Sequence, residues 1–252
     1  MRRYPAMFAL AASLFVAAPL AQAAPVVTSF ASDGALGTYI AGLGAAGGSL
    51  AVAQARGGDS NASGGDYEIG LHVLPGLTSA APVGTAGQMS WGTAGAAGGN
   101  PFIAFTLERS GDTLRFAMGG RYDASYTAAA IEGLDALSLR ARADVTDTST
   151  QLRNLAVNGV LLSSSALAAA NGVIGLALIE GLAGDFSLSG EASLNWTGSF
   201  PRGSRLGFQI AGFDLLPSAQ AAPVEVPEPA SVLLLLGGIA GLAAVARRRA
   251  RG

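Results

Sequence analysis

A strict two-residue alternation on both sides of a short turn restricts the fold of this chain more than any other feature. Phe102, Ala104, Thr106 and Glu108 alternate with Ile103, Phe105, Leu107 and Arg109; Ser110-Gly111-Asp112 follows, then Thr113 to Gly119. Successive side chains point to opposite faces only in extended chain, and a Gly-containing turn of this length joins hairpin strands. Phe102 to Gly119 therefore predicts a β-hairpin. Further strands are predicted at Tyr67 to Val73, Leu137 to Val145, Thr150 to Val157, Phe186 to Asn195 and Arg205 to Phe213. Gly, Asp, Asn and Ser separate such runs at intervals of about 8 to 15 residues. The pattern is that of an all-β chain, an antiparallel β-sandwich of jelly-roll-like character. Ala166 to Ala170 predicts one helical turn, and helix elsewhere should be scarce.

Composition agrees with short strands. The chain has 252 residues, 50% of them hydrophobic, enough for one core. With 36 Gly and only 7% aromatic residues, that core is light and its turns are many. There is no Cys, which excludes disulfides, thiolate metal sites and a cysteine nucleophile. Gly42 to Gly48 and Thr93 to Gly99 are Gly/Ala-rich and read as loose. All 15 basic residues are Arg, and six lie at the chain ends. Between residues 24 and 226, nine Arg face sixteen acidic residues, a net of −7. An acidic surface repels phosphate backbones, so nucleic acid is not a predicted partner.

The ends read as targeting segments. Arg2 and Arg3 precede an apolar run from Ala6 to Ala18, and Ala21-Gln22-Ala23 is a small-x-small cleavage site, so residues 1–23 form a predicted signal peptide. The run is too short to span a bilayer, and Pro19 interrupts it. Tyr4-Pro5-Ala6 after the arginine pair favours the general secretion machinery over the twin-arginine route.

At the other end, residues 217–226 read as a linker. Residues 227–252 then open with Pro227-Glu228-Pro229, continue through an apolar run over about 230–246, and finish on Arg247-Arg248-Arg249-Ala250-Arg251. The prolines hold the backbone extended, so a helix begins only after them. The 17 residues of this run rise about 25 Å as a helix, at the short limit for a single transmembrane helix. The Arg cluster fixes the cytoplasmic side, which leaves Pro227 outside.

In order, spacing and terminal position, Val226 to Arg251 resembles the PEP-CTERM sorting signal. That resemblance implies recognition of Pro227, Glu228 and Pro229 by an exosortase, a membrane enzyme that removes the tail. The precursor would be anchored in the inner membrane and the product passed to the cell surface or extracellular matrix. Producers of such proteins are typically Gram-negative bacteria that also make exopolysaccharide.

A second resemblance lies in Asp66-Tyr67-Glu68-Ile69-Gly70-Leu71, Met89-Ser90-Trp91, Pro101 to Leu107, Phe116 and Gly119-Gly120. It continues in Phe186 to Gly190, Leu194-Asn195-Trp196-Thr197-Gly198, Pro201, Ser204 and Phe208-Gln209-Ile210. Together these residues, over about 66–214 of an ectodomain spanning 24–216, resemble the choice-of-anchor W domain. That family brings no catalytic residues with it, and the Gly/Ala stretch before Asn100 departs from its pattern.

Candidates for chemistry are few. Asp59, Asn61 and Ser63 have the spacing of a calcium loop, but its twelfth position is Gly70, where such loops need a bidentate Glu, so a plain polar turn is the stronger reading. His72 is the only histidine, and no G-x-S-x-G elbow accompanies it, which favours a structural role. Glu180, Asp185 and Glu191 are the carboxylates from which a glycosidase pair would be drawn. Trp91 and Trp196 read as core rather than as sugar-stacking platforms. Asn61-Ala62-Ser63 and Asn195-Trp196-Thr197 match the glycosylation sequon, which carries little weight in a bacterium. No catalytic set and no cofactor is predicted. The chain reads as a non-enzymatic surface protein with a structural or adhesive role, in contact with polysaccharide. The alternative is a secreted glycan-acting hydrolase or carbohydrate-binding module.

Overall fold

The computed structural model describes residues 24–45, 49–57, 68–73, 82–182, 184–199, 201 and 205–215. The predicted signal peptide with Ala21 and Ala23, the Asp59-Asn61-Ser63 loop, and the tail with Pro227, Glu228, Pro229 and Arg247 to Arg249 lie outside these residues. Among the described residues, no helix is long and apolar enough to cross a membrane; the helix predicted over about 230–246 is not among them.

In chain order the elements are β1 (Val26–Phe30), α1 (Asp33–Gly42), β2 (Ala51–Gly57), β3 (Glu68–Val73), β4 (Gly87–Gln88), β5 (Ile103–Ser110), β6 (Thr113–Met118) and β7 (Tyr122–Thr127). A 3-10 turn (Ala129–Gly133) leads to β8 (Ala136–Ala143), β9 (Thr148–Val157), β10 (Val160–Leu161), β11 (Leu167–Ala170), β12 (Ile174–Glu180), β13 (Phe186–Trp196) and β14 (Leu206–Phe213). They form two antiparallel sheets. The first runs β1-β12-β8-β14-β2-β3-β4, and the second runs β10-β9-β13-β5-β6-β7 with β11 also on β9. The predicted hairpin is β5–β6, closing on the pair Ser110 and Thr113 with Gly111 at φ +56°.

Apolar residues at every second position of the strands meet between the sheets. Phe105 on β5 and Phe208 on β14 touch across the gap, with ring centroids 5.2 Å apart. Phe208 stands between Ala55 of β2 and Ala141 of β8, its register partners on either side. One large ring between two methyl groups fills the layer without crowding, which accounts for a core rich in alanine and poor in aromatics. Trp91 is fully buried and Trp196 nearly so, as predicted.

One expectation fails. Ala166 to Ala170 forms no helical turn, because Leu167–Ala170 is the strand β11, paired with β9. Asn171 and Gly172 follow it at φ +51° and +87°, with Val173 N–H donating to Ala170 O at 2.9 Å, a tight turn that ends the strand and carries the chain from β11 in the second sheet to β12 in the first. Conversely, a real helix appears at α1. Ser32 caps it by accepting from Ala35 N–H at 3.2 Å. Leu36 and Ile40, one turn apart, cover Leu176 and Leu178 of β12, Ala136 of β8 and Phe213 of β14 on the outside of the first sheet. Asp33 and Tyr39 then fasten it to Arg140 and Glu180, at 2.8 and 3.2 Å.

The second sheet carries a β-bulge. The β9–β13 register shifts between Ser189 and Glu191, so Asn154 and Leu155 oppose Gly190 alone. Asn154 takes φ +53°, which Asn tolerates well. A Cβ on Gly190 would meet Phe105 Cζ at 2.8 Å and Leu155 Cδ2 at 2.9 Å, so only glycine fits.

Candidate functional site

On the face of the second sheet turned away from the core, β9 presents Ser149, Gln151 and Arg153 beside Asn195, Ser193 and Glu191 of β13. The Gly/Ala-rich segment before Asn100 folds over this face and makes a wall. Between wall and floor lies a cleft of about 450 Å³, bordered also by Phe102, Asp147, Asn171, Trp196 and Thr197.

The wall is not loose, contrary to the sequence reading of Thr93 to Gly99. Asn100, only 5% exposed, anchors it with four hydrogen bonds. Its N–H donates to Asn195 Oδ1 at 2.6 Å and its Nδ2 to Leu194 O at 2.8 Å. Its Oδ1 accepts from Thr93 N–H at 2.9 Å, and its carbonyl accepts from Ser193 Oγ at 3.0 Å. Gly95 N–H adds a bond to Trp196 O at 2.8 Å. Gly92, at φ +119°, passes so close to Asn100 that a Cβ there would stand 2.1 Å from Oδ1. Composition cannot reveal such a clamp; the only sequence signal is an Asn immediately after the glycines and before Pro101.

Beside the cleft Arg153 continues the outward alternation of Ser149 and Gln151. Its Nε donates to Glu191 Oε2 at 2.7 Å, Asn154 Nδ2 shares that acceptor at 3.1 Å, and its guanidinium lies 3.5 Å from the Phe102 ring centroid. The arginine is thus committed to a carboxylate and a ring face.

The sequence-predicted candidates scatter. Glu180 on β12 belongs to the first sheet and accepts from Tyr39, whereas Glu191 on β13 belongs to the second. Asp185 accepts from Gly111 N–H at 2.7 Å, closing the β5–β6 turn onto the start of β13. Glu180 and Glu191 thus stand on different sheets, and Asp185 is engaged at the β5–β6 turn. His72 is buried on the outer face of the first sheet, where Gln209 Nε2 donates to Gln54 Oε1 at 3.0 Å and Gln54 Nε2 donates to His72 Nε2 at 2.9 Å. That is a ladder across β14, β2 and β3, and the histidine accepts in it. Gly70, the twelfth position of the calcium pattern, is inside β3, where a side chain would meet Pro82 and the His72 ring. Among the described residues, no group of three or more His, Asp or Glu could hold a metal ion. Asn195, in the second sequon, spends its side chain on Asn100 and Ser193.

A separate cluster closes one end of the sandwich. Arg109, 5% exposed, donates through Nη1 to the carbonyls of Glu132 and Leu134 and lies 5.4 Å from the Phe186 ring centroid. Burial holds its pKa below the usual arginine value, against the pull of Asp185, Asp135 and Glu132. Burial likewise pushes Asp135 above the usual carboxylate range; the Leu215 N–H bond opposes that and Asp214 adds to it. These groups pin the 3-10 turn and the end of β14, which is a structural task.

A search of curated proteins found no match for the chain. The family model of the PEP-CTERM protein-sorting motif matches residues 225–250. With that motif at its C-terminus and an all-β sandwich before it, the chain is supported as an exported, cell-surface protein sorted by exosortase.

Proposed function

We propose that this protein is a structural or adhesive component of the cell surface or extracellular matrix, associated with exopolysaccharide, and that it has no enzymatic activity. The observation that carries the proposal is the sorting motif at residues 225–250. In this reading the secretion machinery exports the chain and removes residues 1–23. The apolar run over about 230–246 holds the precursor in the inner membrane while exosortase cuts near Pro227 to Pro229. The ectodomain, which we assign to the choice-of-anchor W domain, is then released to its surface position. The separation of Glu180 and Glu191 onto different sheets favours this reading over a glycan hydrolase.

The test is replacement of Pro227, Glu228 and Pro229 by Ala, followed by cell fractionation. The precursor should still reach the membrane but keep its tail, and the shortened surface form should vanish. Undiminished processing would refute the proposal.

A further inference from the structure

We propose that the cleft between β9, β13 and the 92–100 wall is a binding site for a neutral sugar residue of a polysaccharide chain. The inference rests on the surface-protein reading above and adds the class of ligand and the place where it sits.

Three observations carry it. The first is shape: a cleft of about 450 Å³ falls within the roughly 300–1,000 Å³ of small-ligand sites, and its wall is held in place before any ligand arrives. The second is the division of labour among its polar groups. Asn100, Ser193 and Asn195 are consumed in anchoring the wall. Among the described residues, the Ser149 hydroxyl, the Gln151 carboxamide and the Thr197 hydroxyl border the same space with no protein partner. They offer donors and acceptors side by side, as adjacent sugar hydroxyls require. The third is charge. Among the described residues the cleft is lined by no cation: Arg153, beside it, is committed to Glu191 and Phe102, and the one charged lining group is the Asp147 carboxylate. An acidic domain whose cleft is lined, among the described residues, by a carboxylate and no cation repels uronates, sulfates and phosphates and selects an uncharged ligand. The floor is a sheet face rather than an edge, so it has no free ladder to offer an extended peptide. The Gly95, Gly98 and Gly99 rim carries no side chains and lets a sugar ring approach the backbone.

The test is calorimetric titration of the full-length chain in detergent with neutral gluco-, galacto- and mannotetraose, and with oligogalacturonate as the anionic comparator. We expect at least one neutral tetrasaccharide to bind with a Kd of about 1 mM or tighter. The Gln151→Ala/Thr197→Ala double variant should weaken it about tenfold, ~1.4 kcal/mol, with an unchanged melting temperature. Since both residues are exposed, the variant should fold. Absence of binding by every neutral probe, equal binding by the variant, or preference for oligogalacturonate would overturn the inference. Processing of the tail is read separately by fractionation: failed sugar binding with intact processing removes only the ligand assignment, and failed processing with intact sugar binding removes only the sorting reading.

Discussion

Asn100 and Asn195 are joined through a 2.6 Å bond from the backbone of one to the side chain of the other, and this contact fixes the Gly/Ala-rich wall to the middle of the second sheet. Because Asn100 also spends its own carboxamide on Thr93 and Leu194, a single buried residue holds both ends of the wall. Asn100→Ala strands Leu194 O and frees Thr93 N–H. Urea denaturation should show a loss of about 1–3 kcal/mol, the cost of buried groups left unpaired.

The bulge predicts two opposite responses within one feature. Gly190→Ala forces a methyl group against Phe105 and Leu155 and should cost about 1–3 kcal/mol by overpacking. Asn154→Gly keeps the left-handed backbone and gives up only an exposed bond to Glu191, so its melting should stay within about 0.5 kcal/mol of the parent. Asn154→Val, with a β-branched side chain at φ +53°, should lose about 1–2 kcal/mol.

Phe208 spans the core between two alanines. Phe208→Ala should destabilise by about 3–5 kcal/mol, since nothing beside Ala55 and Ala141 can collapse into the space. Ala55→Leu should also destabilise, by about 1–3 kcal/mol, because the ring already occupies that volume.

Asp135 gives a pH signature. Its pKa is raised in the folded state, so the folded protein binds the proton more tightly than the unfolded chain does. Its ionised form therefore opposes folding above the raised value, and this opposition fades as pH falls toward the ordinary value of 3.8. Asp135→Asn retains an oxygen for Leu215 N–H, which now reaches Asp135 Oδ1 at 2.9 Å, and removes the charge. The variant should be more stable than the parent at neutral pH, with the advantage shrinking to nothing below about pH 4 in paired melts.

The parts of this fold that were readable from residues are those where period and turn agree. Phe102 to Gly119 alternates cleanly around a Gly turn, and β8, β9, β13 and β14 follow the same rule. What escaped has identifiable physical causes. Ala51–Gly57 is an inner strand whose core-facing positions Ala51, Ala53 and Ala55 are all alanine, a poor strand former, and it is selected by the large side chains opposite it. Ile174–Glu180 is covered by the core on one face and in part by α1 on the other, so its run has no alternation to detect. Gly34 and Gly37 lower the helix propensity of α1, leaving only the Ser32 cap and the Leu36–Ile40 spacing as signals. The cleft was invisible for a different reason. Its wall is poor in side chains, and its floor joins residues from about 149 to 197, which share no local pattern. The tail, by contrast, is a contiguous motif and needs no fold to be recognised.

The first and last strands of the sandwich differ in how they would carry load. The chain enters through β1, an edge strand bonded only to β12, and leaves through β14, which is laddered to β2 on one side and β8 on the other. Tension applied from the C-terminal side is shared by two rows of hydrogen bonds, whereas the same tension applied from the N-terminal side meets one. A protein held by its C-terminus is therefore gripped by a strand seated between two neighbours, and a pull on β1 meets the weaker hold.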